Sequence, residues 1–188
     1  LEQGVKWHDG KPFTAKDVKC TFDLISGLVQ SEDFRKNPRK IWYHNVKEIV
    51  VNGDHEVSFQ LKAPQPSFLA LLASGYTPIY PCHVAQKEMR VRPVGTGPFK
   101  FIEMKRGDYI KLARNADYWK KGKPYLDGIE YRIIDNRSTR VLAFIAGEID
   151  LTFVSDVTVA LIKDVSAKAP KATCQLVPSN NTINMIVN

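Results

Sequence analysis

Apolar residues first fall on a helical stripe at Val18, Phe22, Ile25 and Val29, at intervals of 4, 3 and 4. Thr14 stands ahead of the stripe as an N-cap, with Asp17 three residues on as an imperfect capping box. The pattern predicts a helix ending near Gly27, with Cys20 off its apolar face and the polar run Ser31-Glu32-Asp33 beyond it. Upstream, Gly4–His8 alternates weakly and reads as a strand end, and Asp9-Gly10-Lys11-Pro12 as a turn. Val46, Ile49 and Val51 precede Asn52-Gly53-Asp54, and Val57, Phe59 and Leu61 alternate after it. Glycine after asparagine takes positive φ at little cost, so residues 45–61 are predicted to form a β-hairpin. Pro64 and Pro66 end it, and Ser67 is expected to cap a short helix carrying Phe68, Leu69, Leu71 and Leu72. The prolines in Tyr76-Thr77-Pro78-Ile79-Tyr80-Pro81 exclude a continuous helix and predict extended chain.

Beyond Pro93-Val94-Gly95-Thr96-Gly97-Pro98 the pattern changes, and a lobe boundary is placed there, dividing 1–94 from 95–188. Strands are predicted at Phe99–Ile102 and Tyr109–Leu112 around Arg106-Gly107-Asp108, and another through Ile129, Tyr131 and Ile133. Asn115–Trp119 reads as a turn with Trp119 plugging the lobe. A helix from about Ser138 to Ala146 is expected to bury Val141, Leu142 and Ile145, with Gly147 as its C′ residue. A short strand at Ile149–Leu151, a helix at 156–168 stopped by Pro170, and strands at 175–177 and 183–187 complete the reading. Short strands mixed with helices, without strict βαβ repetition, predict an α+β or irregular α/β fold.

The chain has 188 residues, room for one large domain or two small lobes, with an ordinary 44% apolar and 25% charged composition. It starts at Leu1 with no secretion-signal pattern, so either processing has removed a leader or the piece comes from a longer protein. Net charge is +7, split +3 and +4 between residues 1–95 and 96–188. The densest basic stretches, Arg35–Lys40 and Lys120–Lys123, are short, and the even split favours solvated surface charge over a nucleic-acid track. Cys20, Cys82 and Cys174 are far apart, with no CxxC and no Cys/His zinc spacing. They read as buried or idle thiols, at most one disulfide being possible. No metal or cofactor is expected.

Gly95-Thr96-Gly97-Pro98 lacks the Lys-Ser/Thr pair of a phosphate loop and the third glycine of a dinucleotide fingerprint. A tight crossover or hinge, fitted to glycine torsions, is the remaining reading. Ser74 and Ser155 have no base nearby in sequence, Glu148 and Asp150 follow a helix cap, and neither GxSxG nor HExxH occurs. Catalysis is therefore not expected. Aromatics at Trp42, Tyr43, Tyr76 and Tyr80 suit a ligand cleft, since Tyr and Trp combine an apolar face with a polar handle. Each taken singly is also an ordinary core residue.

The stretch Gly4-Val5-Lys6-Trp7-His8-Asp9-Gly10-Lys11-Pro12-Phe13-Thr14-Ala15-Lys16-Asp17-Val18 closely resembles the signature of the family-5 extracellular solute-binding proteins. These are the peptide, dipeptide and nickel-binding receptors of ABC importers. Gly95–Phe99, Arg114–Trp119 and Ala146–Leu151 match later landmarks of the family in the same order. The resemblance implies part of a type II periplasmic-binding-protein architecture, two lobes with mixed sheets, the opposite ligand-binding lobe being absent from this chain. It further implies capture of a small solute, foremost a peptide, by hinge closure and delivery to a membrane permease. The protein would then be a monomer, periplasmic or extracellular, with a lipoprotein anchor as one form. Arg39, Trp42, Tyr43, Tyr76, Thr77 and Asn188 are carried over as ligand-binding candidates, and Gly95, Thr96 and Gly97 as hinge. Arg39 would pair with a carboxylate and Trp42 stack on a ligand plane. The rivals are a basic nucleic-acid module and a hydrolase with a scattered site.

Overall fold

The first helix, α1 (Ala15–Ser26), begins where side chains and backbone meet its unpaired N–H groups. The Asp17 carboxylate reaches back to accept from the Thr14 N–H (3.0 Å), and the Ala15 N–H donates to the Asp54 carbonyl (2.7 Å). Gly27 ends the helix at φ 73°, a left-handed conformation that costs glycine little. Val18, Phe22 and Ile25 are buried as expected, but the helix stops too early to carry Val29, which is exposed.

The computed structural model describes residues 1–29, 38–153 and 155–174, with side chains from Lys40 onward after the first gap. The expected strands at 175–177 and 183–187 lie outside these residues. A 3-10 turn covers Pro38–Tyr43, and the hairpin follows as β1 (Val46–Val51) antiparallel to β2 (Val57–Leu61). Its loop runs 52–56, with Gly53 at φ 109°. Asn45 closes its base, accepting from the Ala63 N–H (3.1 Å) and donating to the Ala63 carbonyl (2.8 Å). The short helix α2 (Phe68–Leu72) forms, but the Ser67 side chain makes no cap and Leu69 is exposed; Phe68 is buried and Leu72 packs partly against the core. The core is Val18, Phe22, Ile25, Tyr43, Ile49 and Phe68. Phe22 meets Tyr43 (5.1 Å) and Phe59 (5.0 Å) edge to face, the geometry that ring quadrupoles prefer.

Asp17 ties this core to the chain start. Trp7, almost wholly buried, donates its indole N–H to Asp17 Oδ2 (3.3 Å), and the Cys82 N–H donates to Oδ1 (3.3 Å). Asp17→Ala leaves three donors to find new partners, and a loss of about 2 kcal/mol is expected in urea unfolding.

After α3 (Gln86–Met89), the chain forms β3 (Phe99–Lys105) antiparallel to β4 (Tyr109–Arg114), with β5 (Gly128–Arg132) on β4's other side. Gly128 is required there, since an added Cβ would lie 2.7 Å from the Leu112 carbonyl oxygen. Trp119 is not a plug: it stands exposed beside Tyr118.

The chain divides into two compact units, Leu1–Tyr131 and Arg132–Asn188. In the second, α4 (Arg137–Ile145) is capped by the Asn136 side chain, which accepts from the Thr139 N–H (3.0 Å). It ends in a Schellman motif with Gly147 at C′, the Glu148 N–H reaching the Ala143 carbonyl. Val141 and Ala143 are buried, whereas Leu142, expected inward, faces solvent. No strand forms at 149–151. The expected helix at 156–168 starts later, as a 3-10 turn at Val159–Leu161 leading into α5 (Ile162–Lys168).

Candidate functional site

The 3-10 turn Pro38–Tyr43 buries its last two side chains to different depths in the same core. Tyr43 points into the core, 2% exposed, and Trp42 lies at the core margin. Residues 76 and 77 repeat this division. Thr77 is buried, and its hydroxyl lies 2.6 Å from the Tyr43 hydroxyl. Tyr76 is 57% exposed and meets Trp42 edge to face at 5.8 Å and 74°. Two segments far apart in sequence are thus joined by an inner hydroxyl pair and an outer ring pair. Four of the carried-over residues come together here, and the outward surface belongs to Trp42 and Tyr76. Arg39 occupies the same turn, with its side chain outside the described atoms. Asn188 lies outside the described residues.

The segment carrying Tyr76 and Thr77 runs without regular structure and is fastened to α1. The Tyr80 N–H donates to Thr21 Oγ1 (2.8 Å), and Thr21 in turn donates to the Asp17 carbonyl (2.8 Å). Cys82 is bonded to Cys20, so these two cysteines are a disulfide and not idle thiols; Cys174 is free and exposed. Cys20 misses the apolar stripe because it faces this partner.

Around Gly95–Gly97, His8 makes three contacts with the backbone. Its N–H donates to the Gly95 carbonyl (2.8 Å), the Gly95 N–H donates to His8 Nδ1 (3.2 Å), and Nε2 lies 3.0 Å from the Gly97 carbonyl oxygen. A carbonyl only accepts, so the neutral ring protonated at Nε2 satisfies both contacts. Buried Asn115 adds a second donor to the Gly97 carbonyl (3.1 Å). Neither Gly95 nor Gly97 has positive φ, so the torsional reason expected for these glycines does not hold. Gly95 instead has His8 Cε1 3.4 Å from where its Cβ would stand. Next to His8, Asp9 bonds His83 (2.6 Å). Burial works to raise the Asp9 carboxyl, but the His83 hydrogen bond, the Lys11 N–H and the nearby positive charges outweigh it and hold it below its usual value. No local pattern signals the roles of His8 and Asn115, which rest on contacts between distant segments.

Two cavities open on the first unit. One of about 670 Å³ lies beside Lys40, Tyr43 and Lys62, and one of about 930 Å³ beside His8, Lys87, Arg92 and Phe101. The Ser74 hydroxyl donates to the Leu71 carbonyl (2.6 Å), and Glu148 and Asp150 are both exposed. Among the described residues no group of three or more His, Cys, Asp or Glu side chains is placed to hold a metal, and no helix is long and apolar enough to cross a membrane.

Small sheets mixed with short helices make up part of a type II periplasmic-binding-protein fold, as the solved relatives bear out. Residues 1–188 match the family described as bacterial extracellular solute-binding proteins, family 5 middle, and the chain belongs to that family. It is 38% identical over 160 residues to the oligopeptide-binding protein AppA of Bacillus subtilis, covering 80% of this chain and 28% of that protein. The structure of that AppA in complex with a nonapeptide aligns with a TM-score of 0.73 at 35% identity, over 88% of this chain and 33% of that one. The periplasmic binding protein DppA from Helicobacter pylori, in complex with the peptide STSA, aligns with a TM-score of 0.70 at 33% identity, over 79% and 33% of the two chains. This chain therefore spans about a third of the length of these relatives.

Proposed function

We propose that this chain is part of the substrate-binding component of an ABC importer, capturing a peptide between two lobes for delivery to a membrane permease. The observation that carries the reading is the Trp42–Tyr76 ring pair, with Tyr76 exposed and the neighbouring Tyr43 and Thr77 joined through their hydroxyls, in a family whose relatives include peptide complexes. Such a pair offers apolar ring surface with little side-chain entropy to lose on binding. The Gly95–Gly97 crossover serves as the hinge, and the early lobe is 1–94. The protein performs no chemistry on its ligand and works outside the cytoplasmic membrane. The Cys20–Cys82 disulfide supports that location, because disulfides persist in oxidising compartments.

Calorimetric titration of the full-length protein with short peptides tests this. Trp42→Ala and Tyr76→Ala should each weaken binding about tenfold, with the far-UV spectrum unchanged. Wild-type affinity in both variants, or no binding of any peptide by the parent, contradicts the reading.

A further inference from the structure

The loop from Tyr118 to Leu126 lies apart in sequence from the Trp42–Tyr76 pair. Trp119 is 40% exposed, Tyr125 77%, and Leu126 is exposed as well. Between the rings lie Lys120, Lys121 and Lys123, around Gly122 in the left-handed conformation. Lys120 Nζ sits 4.7 Å from the Trp119 ring centre, and Lys123 Nζ 3.7 Å from that of Tyr125. Charge and ring are therefore presented together at both ends of the loop.

No carboxylate occurs within 118–126, and the two that flank it face other cations. Asp117 lies 3.8 Å from Lys100, and Asp127 pairs with Arg114 at 2.8 Å. The loop is also held at both ends. The Asn115 N–H donates to the Pro98 carbonyl (2.8 Å), and Arg114 donates to the carbonyls of Tyr125 (2.8 Å) and Leu126 (3.0 Å). Exposed rings on a fixed loop with three lysines and no acid match a broad surface that is apolar beneath and anionic on top. Amphipathic Trp and Tyr rings settle at the headgroup level of a bilayer, and nearby lysines are attracted to anionic lipid.

We propose that the Tyr118–Leu126 loop docks peripherally on an anionic lipid bilayer, with Trp119 and Tyr125 at the headgroup boundary and Lys120, Lys121 and Lys123 against the lipid phosphates. The inference is independent of which solute the protein carries.

Flotation of the full-length protein with vesicles tests it. Binding is expected to vesicles containing phosphatidylglycerol, to be weak on pure phosphatidylcholine, and to fall with added salt. The triple change Lys120→Gln, Lys121→Gln and Lys123→Gln should reduce binding at least about tenfold at low ionic strength. A control removing the same charge from exposed sites, Lys163→Gln, Lys168→Gln and Lys171→Gln, should change it less than about twofold. Tryptophan emission should shift to the blue on phosphatidylglycerol vesicles, and the part of that shift due to Trp119 should be missing in Trp119→Phe. Absence of vesicle binding, equal loss in the two triple variants, or absence of a Trp119-dependent blue shift each overturns the proposal. In the first case an acidic protein surface becomes the alternative occupant.

Discussion

Replacing Cys20 and Cys82 with Ser is expected to destabilise the Leu1–Tyr131 unit by about 4 kcal/mol. The bond closes a loop with a sequence separation of 62, and cross-linking a loop of that length removes conformational entropy from the unfolded chain. Stabilities of whole domains are about 5–15 kcal/mol, so the loss is a large fraction of the total. Urea unfolding of the oxidised protein, the reduced protein and the double Ser variant measures it, and the last two should coincide. The effect should extend to the site. The disulfide, the Asp17 carboxylate and the Thr21 hydroxyl hold the segment from Tyr76 to Cys82 on α1. Loosening one of them lets Tyr76 leave Trp42, so the reduced protein should also bind peptide more weakly.

The second large effect is expected in the Arg132–Asn188 unit, on changing Asp156 to Ala. Asp156 is 1% exposed, and its carboxylate takes both prongs of Arg140, at 2.9 and 2.6 Å. The Thr152 hydroxyl (2.6 Å) and the Phe153 N–H (3.3 Å) donate to the same group. Arg140 also donates to the carbonyls of Ile134 (2.5 Å) and Asp135 (3.0 Å), so one ion pair gathers the chain on either side of α4. Removing the carboxylate leaves these donors unmatched at a cost of about 3 kcal/mol, at the low end for a buried pair because Arg140 keeps some solvent contact. Hydrogen exchange at the α4 amides should accelerate accordingly.

The pH dependence has a definite sign. The Arg140 hydrogen bonds, then Thr152, hold the Asp156 carboxyl well below its usual value of 3.8. The unfolded chain therefore takes up a proton first as the pH falls. Stability from this group is complete above the usual carboxylate range and is lost below it, as the pH approaches the lower folded value. In the Asp156→Ala variant that part of the acid sensitivity should be missing.

Elements governed by local rules were legible in the sequence. The Val18–Phe22–Ile25 stripe, the reach-back of Asp17, the hairpin about Asn52-Gly53 and Gly147 at a helix end each depend on residues close together in the chain. The errors occurred where a distant partner decides. Periodicity put Val29 on the helix, but Gly27 had already turned the backbone out of it. Leu142 shares an apolar spacing with Val141 and Ile145, yet only one side of α4 meets packing. The two glycines at 95 and 97 suggested special torsions; the reason visible at Gly95 is the approach of the His8 ring, which no local pattern encodes. Cys20 and Cys82 could not be paired from spacing, because their approach is set by how the 76–82 segment crosses α1.

The candidate site divides in the same way. Aromatic composition and family resemblance led to Trp42, Tyr43, Tyr76 and Thr77, and the fold brings the four together. The distinction among them, with Tyr43 and Thr77 buried, Trp42 half-buried and Tyr76 exposed, rests on contacts between distant segments, which the sequence does not display.

The most direct test of capture by enclosure is recovery of the ligand after binding. Full-length protein would be saturated with a short peptide, washed, unfolded, and the released material weighed by mass spectrometry. Unaltered peptide in a one-to-one ratio with protein is the expected result; cleaved or otherwise modified peptide, or none retained, would contradict it.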